Sequence, residues 1–215
     1  MSSHKTILCF VVRHGTTQLN SGGADGQPRF RGHVDVALDK QGVADANKLA
    51  SLFSNCDISH IVSSDMQRAT RTAKTIADRK GMEIHTTPQL RPWDVGEFSG
   101  QPKDKENRDA LEFYVDHPRV EVPDGESLAE FKARVRPCIV EALKLADQSG
   151  EPALLVGHSS IIHEVGDMFH GDHQSLLVDP GGAIAIFAAD GKISAEAIYK
   201  PREGSIGASR ADTVS

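Results

Sequence analysis

Long apolar runs are missing from this 215-residue sequence, and no stretch approaches the roughly 20 apolar residues that a membrane-spanning helix requires. Cysteine is scarce and odd in number: Cys9, Cys56 and Cys138 offer no disulfide framework and read as reduced packing residues of a cytosolic protein. Positive charge is in deficit, with 24 Lys and Arg against 30 Asp and Glu and a net charge of −6. That balance argues against a general nucleic-acid binder, whose affinity rests on neutralising phosphates with basic side chains. Internal repeats and low-complexity tracts are absent. Met1-Ser2-Ser3-His4-Lys5 leads directly into an apolar run without the pattern of a secretory signal, so a cytoplasmic location without membrane or nucleic-acid partners is expected.

What the chain does have is a pair of short apolar runs that each end in a histidine. Ile7-Leu8-Cys9-Phe10-Val11-Val12 is followed by Arg13-His14-Gly15 and then Thr16-Thr17, which reads as buried strand, tight turn and helix start. Ala153-Leu154-Leu155-Val156 is followed by Gly157-His158-Ser159 and another apolar helical stretch. Ligand sites of open α/β sheets lie at the carboxyl ends of such strands. A lone histidine after a strand is more often a hydrogen-bonded structural residue, but these two have company. Between them runs Ser63-Ser64-Asp65-Met66-Gln67-Arg68-Ala69, in which Ser64 is the expected N-cap with Gln67 as its capping-box partner. Arg68 then sits within about a turn of a helix amino terminus, whose unpaired N–H groups favour an anion.

The coarse organisation follows from periodicity. Asp39 is expected to cap a helix reaching about Phe53, with Val43, Ala46, Leu49, Ala50 and Phe53 on one face. His60 to Val62 is a strand candidate feeding the Arg68 helix, whose inward face carries Ala69, Ala73, Ile76 and Ala77; Glu83 to Thr86 is another strand candidate. Ser127 and Glu130 form a capping box for a helix through Phe131, Val135, Ile139, Ala142 and Leu143, in which Pro137 should place a kink. Ala183 to Phe187, the Asp190-Gly191 turn and Ile193 to Tyr199 predict an edge hairpin. Strands alternating with helices imply an α/β protein, a three-layer α/β/α sandwich. One domain over residues 1–200 is expected, with 201–215 a polar, disordered tail.

The chain resembles the histidine phosphatase superfamily, the group of cofactor-dependent phosphoglycerate mutases and many small phosphatases. The resemblance is carried in order by Arg13 through Asn20, by Arg31-Gly32-His33 with Asp35, Leu38 and Gly42, by Ser63 through Ala69 with Thr72-Ala73, by Gly125 through Leu128 with Arg134-Val135, and by Val156 through Ser159. An ordered series of this kind is far more specific than any one triplet. It implies a mostly parallel sheet and a small cap insertion at about 101–124. A cap this short is more similar to the small phosphatases than to the mutases, although so charged a stretch also reads as a solvated connecting loop.

The chemistry of such a site can be argued from its residues. Arg13 and Arg68 each offer paired donors suited to a phosphate dianion. Their charge disfavours the imidazolium form, leaving His14 neutral and nucleophilic. His14 would attack phosphorus to give a phosphohistidine that water hydrolyses, with His158 and the arginines stabilising the equatorial oxygens. The resemblance assigns the same four roles and adds Asn20 as a phosphate contact. Trp93, beside the expected pocket unless it simply packs the loop, and Ser159, directly after His158, are candidate substrate contacts.

The leaving group lacks an obvious acid. The resemblance places a glutamate two residues after Leu90, where this chain has Pro92; the other branch of the superfamily places an aspartate where this chain has Ser159. Three readings stay open: Asp94 has taken the role, with Glu97 a second choice from the same loop and a loop cap as Asp94's alternative use; no residue has; or the pocket binds phosphorylated ligands without turnover. Neither a metal nor another cofactor is expected, because His158, His163, His170 and His173 do not fall at standard ligand spacings. A cysteine-dependent phosphatase is excluded because Gly15, Val62 and Lys144 stand where the arginine six residues after its cysteine would be. The expected function is a metal-independent phosphomonoesterase acting on a phosphorylated small molecule. A non-catalytic phosphate-binding scaffold and a mutase-type phosphotransferase are the alternatives.

Overall fold

A computed structural model of the protein describes residues 5–22 and 26–201. The expected disordered tail therefore falls, save for Pro201, outside the described residues. The described residues form six strands and six α-helices in the order β1 (Thr6–Arg13), α1 (Gln18–Ser21), α2 (Lys40–Leu52), β2 (Ile61–Ser64), α3 (Gln67–Lys80), β3 (His85–Thr87), α4 (Lys105–Asp116), α5 (Leu128–Ser149), β4 (Ala153–Gly157), α6 (Ser159–His170), β5 (Ala183–Ala189) and β6 (Lys192–Tyr199). The strands form one sheet in the order β3-β2-β4-β1-β5-β6. The first four run parallel; β5 lies antiparallel to β1, and β6 antiparallel to β5.

The three layers follow from the period of two in the central strands. Cys9 and Val11 of β1 point into an apolar cluster with Leu155, with Phe131, Val135 and Ile139 of α5, and with Ile161, Ile162 and Val165 of α6. Phe10 and Val12 point the other way, meeting Val156, Leu49 and Ala50 of α2, and Ala69, Ala73 and Ile76 of α3. β1 is followed by a helix on one face and β4 by a helix on the other, so the loops beyond their carboxyl ends diverge and leave a crevice. Register holds those ends level, with Arg13 opposite Gly157 and Ser63 opposite Val156. A third, small apolar cluster of Val95, Phe98, Leu111 and Val122 packs against Phe30 and Tyr114 and is joined to the first by Trp93, which packs against both. Leu111 brings α4 into it, so the stretch read from sequence as a cap or a connecting loop contains a packed helix.

The helix ends mostly obey the sequence. Asp39 Oδ1 accepts from the Gly42 amide at 2.7 Å, and Ser127 and Glu130 form the expected reciprocal box. Helix α5 runs through Pro137. The expected N-cap of α3 is corrected. Ser64 is the last residue of β2, Met66 holds the cap position without a side-chain bond, and the Gln67 amide and side chain both donate to the Asp35 carboxylate, at 2.9 and 3.2 Å. The capping oxygen comes from a loop rather than from the adjoining sequence. Val43, expected on the inward face of α2, is 38 % exposed; the buried stripe is Gly42, Asp45, Ala46, Leu49 and Ala50. Gly42 is required because a Cβ there would stand 2.0 Å from the Thr16 carbonyl oxygen, where the loop after β1 rests on the first turn of α2.

Candidate active site

The crevice is built from the ends of β1, β2 and β4. The His14 amide donates to the Gly157 carbonyl at 3.0 Å, tying the two histidine-bearing strand ends together. The rings of His14 and His158 meet edge to face, with centroids 5.2 Å apart. Both are buried. Nδ1 of His14 lies 2.6 Å from the Gly15 carbonyl oxygen. A carbonyl can only accept, so Nδ1 carries the proton and Nε2 carries the lone pair. That Nε2 is buried and has no partner. On His158, Nε2 is 3.0 Å from Ser64 Oγ, while Nδ1 is likewise buried and unpartnered.

Three guanidinium groups surround these rings. Arg13 reaches the Val178 carbonyl at 2.8 Å. Buried Arg68 donates to the carbonyls of Val34 at 2.9 Å and Gly32 at 3.2 Å, and its Nε is left without a partner. Arg31, which the sequence placed in a motif without giving it a role, is braced by Asn20 Oδ1 and by Thr17 Oγ1. Burial and the charges of Arg13 and Arg68 bring Arg31 down to about 9. Burial, helped by Arg31, His158, Arg68 and Arg13, holds His14 well below the usual histidine range; burial and the same arginines do so for His158. Both imidazoles are neutral at pH 7. The site thus combines a fixed lone pair with concentrated positive charge, and unpartnered buried N–H groups are what an anion would satisfy.

The cleft above the site has a volume of about 230 Å³ and is lined by Arg31, Arg68, His158, Ser159, Lys103 and His163 together with Phe30, Pro92, Trp93, Val95 and Leu111. Among the described residues no carboxylate lines it. Trp93 and Ser159 stand where the sequence placed them, and Trp93 Nε1 donates to the Glu126 carbonyl at 3.0 Å. Asn20 braces Arg31 from outside the lining, its Oδ1 also accepting from the Thr17 amide at 3.0 Å. Lys103 and His163 were missed. Nothing in their local sequence marks them, and only the approach of the segment before α4 and of the second turn of α6 brings them to the cleft.

Asp94 requires a correction. Like Arg13 and His14 it is outside the cleft lining, but unlike the unpartnered His14 Nε2 both its carboxylate oxygens are engaged elsewhere, Oδ2 with His33 Nδ1 at 3.1 Å and Oδ1 with the Gly96 amide at 3.2 Å. The other ring nitrogen of His33 meets the Pro92 carbonyl at 3.0 Å. Arg134 holds the same loop by donating to the carbonyls of Gln89, Arg91 and Pro92 and to the Glu126 carboxylate. The loop is pinned with Asp94 serving its own backbone. Glu97 is exposed and also outside the lining.

Among the described residues no group of His, Cys, Asp and Glu is arranged to hold a metal ion, and no helix is long and apolar enough to cross a membrane. A structure of a mycobacterial glucosyl-3-phosphoglycerate phosphatase superposes with a TM-score of 0.70 at 22 % identity, covering 92 % of this chain and 98 % of that one. A phosphoglycerate mutase structure from Bacillus anthracis gives 0.74 at 22 % identity, covering 91 % and 93 %. These two show the shared fold. In sequence, a probable phosphoglycerate mutase from Enterobacter sp. (strain 638) is 34 % identical over 158 residues, 71 % of this chain and 69 % of that protein. The profile of the histidine phosphatase superfamily (branch 1) matches residues 9–180, and on that match and the Enterobacter relative the chain belongs to this superfamily.

Proposed function

We propose that the protein is a metal-independent phosphomonoesterase that hydrolyses a small phosphorylated molecule through a phosphohistidine on His14. The observation that carries this reading is the His14 Nε2 lone pair, fixed by the Nδ1 bond to Gly15 and set among buried Arg68 and His158 and half-buried Arg13 and Arg31. Nε2 forms a bond to phosphorus as the ester oxygen departs. The guanidinium groups take up the charge of the equatorial oxygens, and His158 Nδ1, which has no partner, adds a donor in the tautomer whose Nε2 accepts from Ser64 Oγ. Water then attacks the phosphohistidine and releases inorganic phosphate. The positive charge a metal would supply elsewhere is provided here by arginines. A cleft of about 230 Å³ suits a small metabolite, and the 101–124 segment serves as the cap that shapes it.

A mutase-type phosphotransfer is the second reading, favoured by the names of the Enterobacter and Bacillus proteins. Rapid quench with phosphate-labelled substrate tests both. The unaltered chain should give acid-labile, base-stable label, in chelator as well as without it, and in water enriched in heavy oxygen the released phosphate should carry the heavy atom. Label on His14→Ala would sink the nucleophile. Complete loss of turnover in chelator, restored by zinc or magnesium, would sink the metal-independent reading. Transfer to an acceptor hydroxyl in place of water would establish the mutase.

A further inference from the structure

We infer that the ammonium group of Lys103 protonates the departing alkoxide, filling the place left by the absent glutamate; this rests on the phosphomonoesterase reading above. The argument is an inventory of the cleft. Among the described residues no aspartate or glutamate lines it, and Pro92 closes the position where a carboxylic acid was expected. Asp94 is bound to His33 and to its own loop. Of the lining groups that carry a proton to give, the guanidinium groups of Arg31 and Arg68 keep their charge and are tied to Asn20 and Thr17 and to the carbonyls of Val34 and Gly32, and His158 is neutral. His163 is held at about 4, chiefly by burial and then by Arg13, His173 and Lys103, so it is neutral. Lys103 remains.

Its surroundings suit the task. Lys103 is half-buried, lies over the Phe30 ring at 5.2 Å, and among the described residues has no ion pair with a carboxylate. The charged groups facing it are all cationic: Arg31 beside the crevice, Arg13 at the end of β1, and Arg108 on the first turn of α4. Burial first, and those three charges after it, bring Lys103 down to about 8. A general acid works best near the operating pH, and this one is still protonated at pH 7. As His14 Nε2 bonds to phosphorus and the ester P–O bond breaks, the leaving oxygen takes a proton from Nζ and departs as the alcohol. Lys103 is left as a neutral amine. In the second half it takes a proton from the attacking water, whose oxygen bonds to phosphorus as the P–Nε2 bond breaks. The ammonium and neutral His14 are regenerated.

The test compares an alkyl phosphate with p-nitrophenyl phosphate, whose leaving group needs no proton, on the unaltered chain, Lys103→Arg and Lys103→Met. Arginine keeps the charge but holds its proton too tightly to donate. Both variants should lose about a hundredfold in kcat on the alkyl phosphate and stay within about threefold on p-nitrophenyl phosphate. For the unaltered chain, kcat/KM on the alkyl substrate should fall as pH rises through about 8, and that limb should vanish in Lys103→Arg. Recovery of alkyl phosphate turnover by Lys103→Arg, equal slowing of both substrates, or no slowing of either overturns the assignment. If the unaltered chain turns over neither substrate, the phosphatase reading itself falls and takes the proton donor with it. Turnover of p-nitrophenyl phosphate with the wrong pattern removes only Lys103.

Discussion

Of the four residues that the sequence marked, His14 and His158 meet ring to ring, Arg68 lines the cleft with His158, and Arg13 stands next to His14 at the end of β1. They were legible because each sits at a strand end or helix start that its own neighbours define. Arg31, Lys103 and His163 were not legible, since what makes them part of the cleft is contact between segments far apart in the chain. The partners of Asp94 were hidden for a related reason. Its position in the loop was readable, but whether its oxygens would face the pocket or turn to His33 and the Gly96 amide was not. Asp94→Asn is therefore expected to slow an alkyl phosphate and p-nitrophenyl phosphate alike, by a few-fold at most, as the loop loosens. A hundredfold loss confined to the alkyl phosphate would restore it as the acid.

At the level of elements, β1, β4, α3 and α5 stood out in the sequence because apolar period and turn residues agreed. The cap of α3 did not, because Asp35 supplies it across 32 residues of chain. Nor did the junction of the loop after β1 with α2, which depends on two glycines meeting. A Cβ on Gly15 would come within 2.4 Å of the Gly42 carbonyl oxygen, and one on Gly42 within 2.0 Å of the Thr16 carbonyl oxygen. Both obstacles are backbone and cannot swing aside. Gly42→Ala should cost about 3 kcal/mol in denaturant unfolding. Because the strain bears on the residues following His14, turnover should fall even at temperatures where the variant stays folded. A loss below about 0.5 kcal/mol would show that the junction yields freely.

The molecule as a whole carries an acid sensitivity that its site imposes. His14, His158 and His163 all have folded-state pKa values lowered mainly by burial, so below the unfolded value of about 6.5 the unfolded chain binds protons that the folded chain refuses. Stability is complete above that pH and declines as pH falls. The melting temperature should be lower at pH 5 than at pH 7, and replacing His163 by Gln should shrink the difference. An unchanged melting temperature across that range would contradict the burial argument. The fold also spends its apolar contacts unevenly. The two large clusters that clasp the sheet do not include Phe98, Leu111 or Val122, which join Val95 in a cluster of their own under α4. Drift in that cluster reaches the cleft through Val95 and Leu111, which line it, while the backbone of the strand ends that carry His14 and His158 rests on the two larger clusters. Descendants of such a chain would reshape the mouth of the cleft by rewriting α4 around Leu111 while inheriting the strand ends beneath it unchanged.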